Sequence, residues 1–230
     1  MTPSPTCVLF DIDGTLLHSG GAGRRAFSNA LQRVFGWGPL PTDIGFAGST
    51  DWMVLDLIME RQGYAPLDGD RERFFDILEE ELEETIRSAE AILLEGARAL
   101  VEALAADDAV DLGLVTGNVE PCARIKLRHV DLDGYFTFGG FGGEHADRRE
   151  IARIALQRAR ARRAPADEFD RVILIGDTPA DVQAARAIGA EAVAVTTGGC
   201  RREDLAAAGA DRVVDRLPTF EEIMNGPVED

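Results

Sequence analysis

The sequence predicts an α/β fold: a Rossmann-like parallel sheet core with helices on both faces, plus an inserted helical cap domain. Three observations predict it. Short apolar runs recur along the 230 residues and are continuous rather than alternating, as in strands covered on both faces. Helical patterns separate these runs, the alternation that builds an open α/β sheet. One interval, of about 75 residues, far exceeds the ~2–6 residues of an ordinary strand-to-helix connection.

The first apolar run is 7–12. The long interval then holds three helical patterns. Phe27, Ala30, Leu31, Val34 and Phe35 share one face; Trp52, Leu55 and Met59 line up in the second; Phe74, Leu78, Leu82 and Ile86 recur every four residues in the third. Gly/Pro-rich turns (GWGPLP, QGYAPLDGD) separate them. Residues 18–93 therefore read as a helical domain inserted into a core made of 1–17 and 94–230. In the core a helix is expected over 96–106, a strand over 112–115, a helix over 119–130 and another over 148–163. Strands at 172–175, 192–195 and 213–214 follow, with a helix over 179–188. The EEELEE stretch (79–84) reads as the solvated face of its helix, and the tail NGPVED as frayed.

Composition narrows the function. Hydrophobic residues make up 45% and charged residues 28%, which excludes a disordered chain or a fibrous repeat. Asp and Glu total 41 against 24 Lys and Arg, a net charge of −17, so nucleic acid and anionic membrane are repelled as partners. A small anionic substrate stays open, because a metal ion inverts the local field. The three cysteines, widely spaced, form no disulfide framework, zinc motif or C-x-x-C pair, which fits a reducing, cytoplasmic setting. The first residues lack a basic targeting region, and no stretch approaches the ~20 apolar residues of a membrane span.

Chemistry gathers at strand ends. Asp11 and Asp13 close the run VLFDIDGTLL. Side chains two apart on a strand point the same way, so both carboxylates are expected to face one pocket, at the end of the sheet where α/β folds bind ligands. Two adjacent carboxylates repel and call for a cation, a proton or solvent; as hard oxygen donors they suit Mg²⁺. One could attack phosphorus while the other passes protons. Gly14 allows a sharp turn or close approach. Thr116-Gly117-Asn118, at the next strand end, offers a hydroxyl, amides and a helix start for phosphate, or simply Asn118 as an N-cap. In GDTPAD, Asp177 can reach a metal held by Asp11, whereas Thr178, Pro179 and Asp181 read as a capping box, leaving Asp181 a supporting role. Arg148 and Arg149 are the candidate cations for a transferring phosphoryl group; the other arginines of 148–163 read as a solvated face. Gly45–Asp51 (GFAGSTD) is expected near the substrate, with Ser49 or Thr50 also capping the next helix. His18 reads as a surface residue able to reach the entrance.

Together Asp11-Ile12-Asp13-Gly14-Thr15-Leu16, Thr116-Gly117-Asn118 and Gly176-Asp177-Thr178-Pro179-Ala180-Asp181 resemble three motifs of the haloacid dehalogenase-like hydrolase superfamily, in the right order and at the right strand ends. The insert sits where that family's helical type I cap is placed. The second acid, Asp13, resembles the phosphatases rather than the true dehalogenases. The resemblance implies that Asp11 is nucleophile and Mg²⁺ ligand. Asp13 is general acid/base, with its carbonyl on the metal. Thr116, Gly117 and Asn118 hold phosphate oxygens, and Asp177 completes the metal site. The family's third motif usually supplies a lysine. Between Arg128 and Asp177 there is none, Lys126 lying in the preceding helix; Arg148 is the expected replacement, with Arg149 second. An arginine grips phosphate with a fork rather than a point charge.

The expected function is therefore a Mg²⁺-dependent phosphatase acting on a small phosphorylated metabolite, phosphoglycolate- or sugar-phosphate-like, through an aspartyl-phosphate. The alternatives are a phosphomutase of the same superfamily, a dehalogenase, disfavoured by Asp13, and a catalytically silent binding protein on this fold.

Overall fold

A computed structural model describes residues 4–163 and 168–225; the tail expected to fray, beyond Asn225, lies outside the described residues. In chain order the elements are β1 (Thr6–Phe10), β2 (Leu17–His18), α1 (Ala22–Phe35), α2 (Asp51–Arg61), α3 (Asp70–Arg87) and β3 (Ile92–Leu93). Then come α4 (Ala97–Ala105), β4 (Val110–Thr116), α5 (Glu120–His129), β5 (Phe138–Phe141), α6 (Arg148–Arg163) and β6 (Arg171–Gly176). The chain continues with α7 (Pro179–Ala187), β7 (Glu191–Val195), α8 (Arg202–Ala207), β8 (Arg212–Val214) and α9 (Phe220–Asn225).

Six strands form a parallel sheet in the order β5-β4-β1-β6-β7-β8. The continuous apolar runs are explained by burial on both faces. Val8, Phe10 and Ile12 pack with α4, α5 and α9, while Cys7 and Leu9 pack with α6, α7 and α8. Strand β1 lies at the middle, Phe10 pairing with Leu114 on one side and Ile175 on the other. From β1 the strand order runs outward to β5, then restarts at β6 on β1's other flank. That reversal opens a crevice at the carboxyl ends of the strands.

Helices α1, α2 and α3 build a second apolar core around Phe27, Leu31, Leu55, Phe74 and Leu82, which Cys122 and Ile125 of α5 complete. The chain passes between sheet and helical layer twice, and the two passages pair as a short antiparallel ribbon, Leu17 opposite Leu93 and His18 opposite Ile92. One expectation for this layer fails. Glu81, within EEELEE, is only 8% exposed. It accepts hydrogen bonds from Asn29 Nδ2 and Arg33 Nη1, both at 2.8 Å, because α1 lies alongside and turns its polar edge toward α3. Among the described residues no helix is long and apolar enough to cross a membrane.

Candidate active site

Strand β1 delivers Asp11 just past its last paired residue, with the Asp11 amide still donating to the Ile175 carbonyl of β6. Gly14 follows at φ +85°, a left-handed turn that suits glycine. The turn brings the backbone under Asp177, where a Cβ on Gly14 would lie 2.6 Å from Asp177 Oδ2. Thr15 Oγ1 donates to Asp177 Oδ1 at 3.3 Å, and Thr197 Oγ1 donates to the Gly14 carbonyl at 2.6 Å. Asp11, Asp177 and Asp181 each offer an oxygen within 4.8 Å of the others, and all three are buried. Burial raises the carboxyl of Asp11 well above its usual value; Arg148 opposes this, and Asp181, Asp177 and Asp13 add to it. Burial and then Asp181 push Asp177 up to about 7. Such a group of hard oxygen donors, strained by its own charge, could hold a divalent cation.

Arg148, the first residue of α6, is directed into this group. Its Nη1 donates to Asp181 and lies 3.5 Å from Asp11 Oδ1. Its Nε is buried with no hydrogen-bond partner, a donor that costs free energy until a ligand takes it. Arg149 turns outward instead, its Nη2 donating to Asp147 at 2.6 Å on the surface. Asp181 is fully engaged by the protein: Oδ1 receives Arg148, and Oδ2 receives the Thr178 amide at 3.0 Å and hydroxyl at 2.6 Å, the capping box that starts α7.

Asp13 lines the same cavity, but its Oδ2 is engaged by a cation of α5 and an amide just before that helix rather than by the Asp11 group. Its Oδ2 receives Lys126 Nζ at 2.6 Å and Asn118 Nδ2 at 2.8 Å. Burial would raise the Asp13 carboxyl, but the Lys126 ammonium beside it holds it below the usual range. Lys126 is 4% exposed and donates also to Asn118 Oδ1 at 2.6 Å. Sequence reasoning set this lysine aside because it precedes the place where the family motif carries one. No signal in the sequence separated it from its neighbours Arg124 and Arg128 on the same helix. Asn118 is not the helix N-cap either: Val119 takes that position, and Asn118 spends its side chain on Asp13, Thr116 Oγ1 and Lys126.

The insert reaches these strand ends through Gly45–Asp51. The Asp51 amide donates to the Gly117 carbonyl at 2.7 Å, and the Trp52 amide to Gly142 at 3.2 Å. Thr50 Oγ1 donates to the Ala146 carbonyl at 3.1 Å and accepts from the Met53 amide, capping α2. Asp51 Oδ2 accepts from the Val119 amide at 2.8 Å, so a residue of the insert caps a helix of the sheet layer. A Cβ on Gly117 would collide with the Ser49 carbonyl, so this approach requires glycine there. Between the two layers lies a cavity of about 470 Å³. Asp11, Asp13, Asn118, Lys126, Arg148 and Asp177 line its sheet side; Phe27, Phe46, Leu78 and Leu82 line its insert side. His18 lines it as well. Thr116, fully buried, accepts from the Asn118 amide at 3.2 Å behind it.

Comparison with known proteins finds the same fold. Among solved structures, a hydrolase from Pseudomonas syringae is 25% identical, the match covering 97% of each chain with a TM-score of 0.65. A predicted phosphoglycolate phosphatase from Haemophilus somnus is 20% identical over 98% of each chain, with a TM-score of 0.66. A candidate beta-phosphoglucomutase from Thermotoga maritima is 23% identical, covering 96% of this chain and 97% of that one, with a TM-score of 0.58. No curated protein matches the chain. The family model described as haloacid dehalogenase-like hydrolase matches residues 8–186, most of the chain, including the strand ends that carry Asp11, Thr116 and Asp177, and the chain belongs to that family.

Proposed function

We propose that this protein is a Mg²⁺-dependent phosphatase of small phosphorylated metabolites, working through an aspartyl-phosphate on Asp11. The observation that carries the reading is the convergence of Asp11, Asp13, Asn118, Arg148 and Asp177 on one cavity beneath the helical insert. The donor set fits the metal. Asp11 and Asp177 are buried oxygen donors whose mutual repulsion a divalent cation offsets, with Asp181 behind them already bound to Arg148. Asp11 and Asp177 would hold Mg²⁺ through their side chains and Asp13 through its carbonyl. When bound, the metal would shield the charge between nucleophile and phosphate.

The chain's own residues would do the rest. An Asp11 oxygen attacks phosphorus in line; the bond from phosphorus to the ester oxygen breaks, and that oxygen takes its electron pair and a proton from Asp13. Water then attacks phosphorus and gives a proton back to Asp13. The bond to Asp11 breaks, releasing phosphate and restoring both carboxyls. Arg148 and the amide of Gly117, with Thr116 and Asn118 setting the loop, meet the charge on the phosphoryl oxygens. Helices α1–α3 act as a cap that excludes water and selects the leaving group. The cavity volume suits a phosphoglycolate- or sugar-phosphate-sized substrate. The three free thiols accord with a reducing, cytoplasmic setting.

Phosphate release from a panel of phosphorylated metabolites, with Mg²⁺ and with EDTA, tests the reading. The expected outcome is release that EDTA abolishes and Mg²⁺ restores, and an Asp11→Asn protein that folds but is slower by about 10⁴-fold or more. Undiminished release by folded Asp11→Asn would end the nucleophile assignment.

A further inference from the structure

Lys126 is the one buried lysine among the described residues, and a protein does not bury an ammonium without a partner that needs it. It stands on α5 between two apolar faces: Ala123 and Leu127 pack toward the sheet, and Cys122 and Ile125 toward the insert. Its Nζ reaches Asp13 Oδ2 and Asn118 Oδ1, both at 2.6 Å. Asn118 Nδ2 donates to the same Asp13 oxygen at 2.8 Å and to Thr116 Oγ1 at 2.8 Å. The three side chains close a ring in which both donors converge on Oδ2. Neither touches Oδ1, and the Asp13 side chain is still 39% exposed, toward the cavity.

We propose that Lys126 is a positioning residue for Asp13. Together with Asn118 it locks one carboxyl oxygen so that the other faces the scissile ester. The inference rests on the phosphatase reading and deepens it. Arg148 and Lys126 then divide the cationic work: Arg148 stands by the nucleophile, 3.5 Å from Asp11, and Lys126 by the acid. The geometry supports this division, since Lys126 touches Asp13 and Asn118, whereas Arg148 touches Asp11 and Asp181.

A role exercised through Asp13 has a signature that a purely structural role lacks. Protonation matters most when the leaving oxygen is basic, so loss of Lys126 should scale with leaving-group basicity. The experiment compares phenyl phosphate with 4-nitrophenyl phosphate, which are close in size and shape, in single turnovers with Mg²⁺. Wild type, Lys126→Met and Lys126→Arg are measured, with melting curves to establish folding. The expected result for Lys126→Met is a first-turnover loss on phenyl phosphate about 10²-fold greater than on 4-nitrophenyl phosphate, the lower end of a general-acid contribution. KM should stay within about 2-fold on both, since kcat alone carries an interaction made in the transition state. Lys126→Arg should recover part of the phenyl phosphate rate. Equal losses on the two esters, or none, overturn the proposal while leaving the phosphatase reading intact. Release from neither ester, nor from any metabolite, by wild type would remove that reading and this inference together. If Lys126→Met does not fold, Lys126→Gln, which keeps a polar end but removes the charge and shortens the reach to Asp13, carries the same comparison.

Discussion

Asp51 opens α2 in the insert and ends with its carboxylate on the amide of Val119, the N-cap of α5 in the sheet layer. Burial pushes this carboxyl up to about 6, against the Val119 hydrogen bond and Lys126, which pull it down. An acid whose folded value is raised binds more protons folded than unfolded between about pH 4 and 6, so stability falls as pH rises through that window. Above it the charged, desolvated carboxylate is a standing cost. Asp51→Asn keeps an oxygen for the Val119 amide and removes the charge, so it should raise stability at pH 8 by up to about 3 kcal/mol, from roughly two pKa units. The gain should vanish near pH 4, as paired denaturant titrations of variant and wild type would read directly. An equal gain at both pH values would point to packing instead. Residues of this kind mark the limit of legibility. Asp11, Asp13 and Asp177 could be picked out because they stand at the ends of apolar runs. Asp51 and Lys126 could not, since each looks like an ordinary polar position on an amphipathic helix until the two layers meet.

The elements were legible where burial imposes a pattern. Strands β1, β4, β6, β7 and β8 announce themselves as continuous apolar runs because helices cover both faces of the sheet. Strand β5 is hidden: FGGF places two glycines at the sheet edge, and glycine carries no strand signal. Helices α8 and α9, six residues each, are too short for a period to show. The two-residue strands β2 and β3 are held by pairing alone. In the insert the repeat every four residues in α3 was readable because Phe74, Leu78, Leu82 and Ile86 all face one core. Phe74 lies at its centre, fully buried, its ring 4.8 Å from Phe27 and 6.2 Å from Phe35. Phe74→Ala should cost about 3–5 kcal/mol, the usual loss for a buried aromatic. Hydrogen exchange should place that loss in α1, α2 and α3 and leave the amides of β1, β4 and β6 protected. Uniform loss across both layers would mean that they unfold as one unit.

At the scale of the molecule, the proposed function implies that the two layers part and close, because the cavity lies between them. Across that boundary run the hydrogen bonds Asp51 to Gly117, Trp52 to Gly142, Thr50 to Ala146 and Val119 to Asp51, the Arg128–Glu83 ion pair, and the apolar packing of Cys122 and Ile125 against the insert. They join segments remote in sequence, with a backbone amide or carbonyl on at least one side of every hydrogen bond, which no residue pattern advertises, so this closure could not be read from the chain. Parting the layers breaks these contacts and leaves the sheet intact, so it should cost less free energy than global unfolding. Nature has placed three free thiols at three depths that report on this. Cys200 is partly exposed; Cys122 is 2% exposed on α5, beneath the insert and at the cavity wall; Cys7 is fully buried in β1. Burial holds the Cys7 thiol up to about 12 and raises Cys122 well above its usual value, so neither reacts until uncovered. Alkylation followed by mass spectrometry should therefore show Cys200 modified first, Cys122 at the rate of insert opening, and Cys7 only on global unfolding. Inorganic phosphate with Mg²⁺ should slow Cys122 and leave Cys200 unchanged. Thr50→Ala, which removes a boundary contact and the α2 cap, and Gly117→Ala, whose methyl would meet the Ser49 carbonyl, should both hasten Cys122 without hastening Cys7. If Cys122 instead keeps pace with Cys7 in every protein and buffer, the layers do not part in the native state, and substrate must enter through the ribbon side at His18 rather than by opening of the insert.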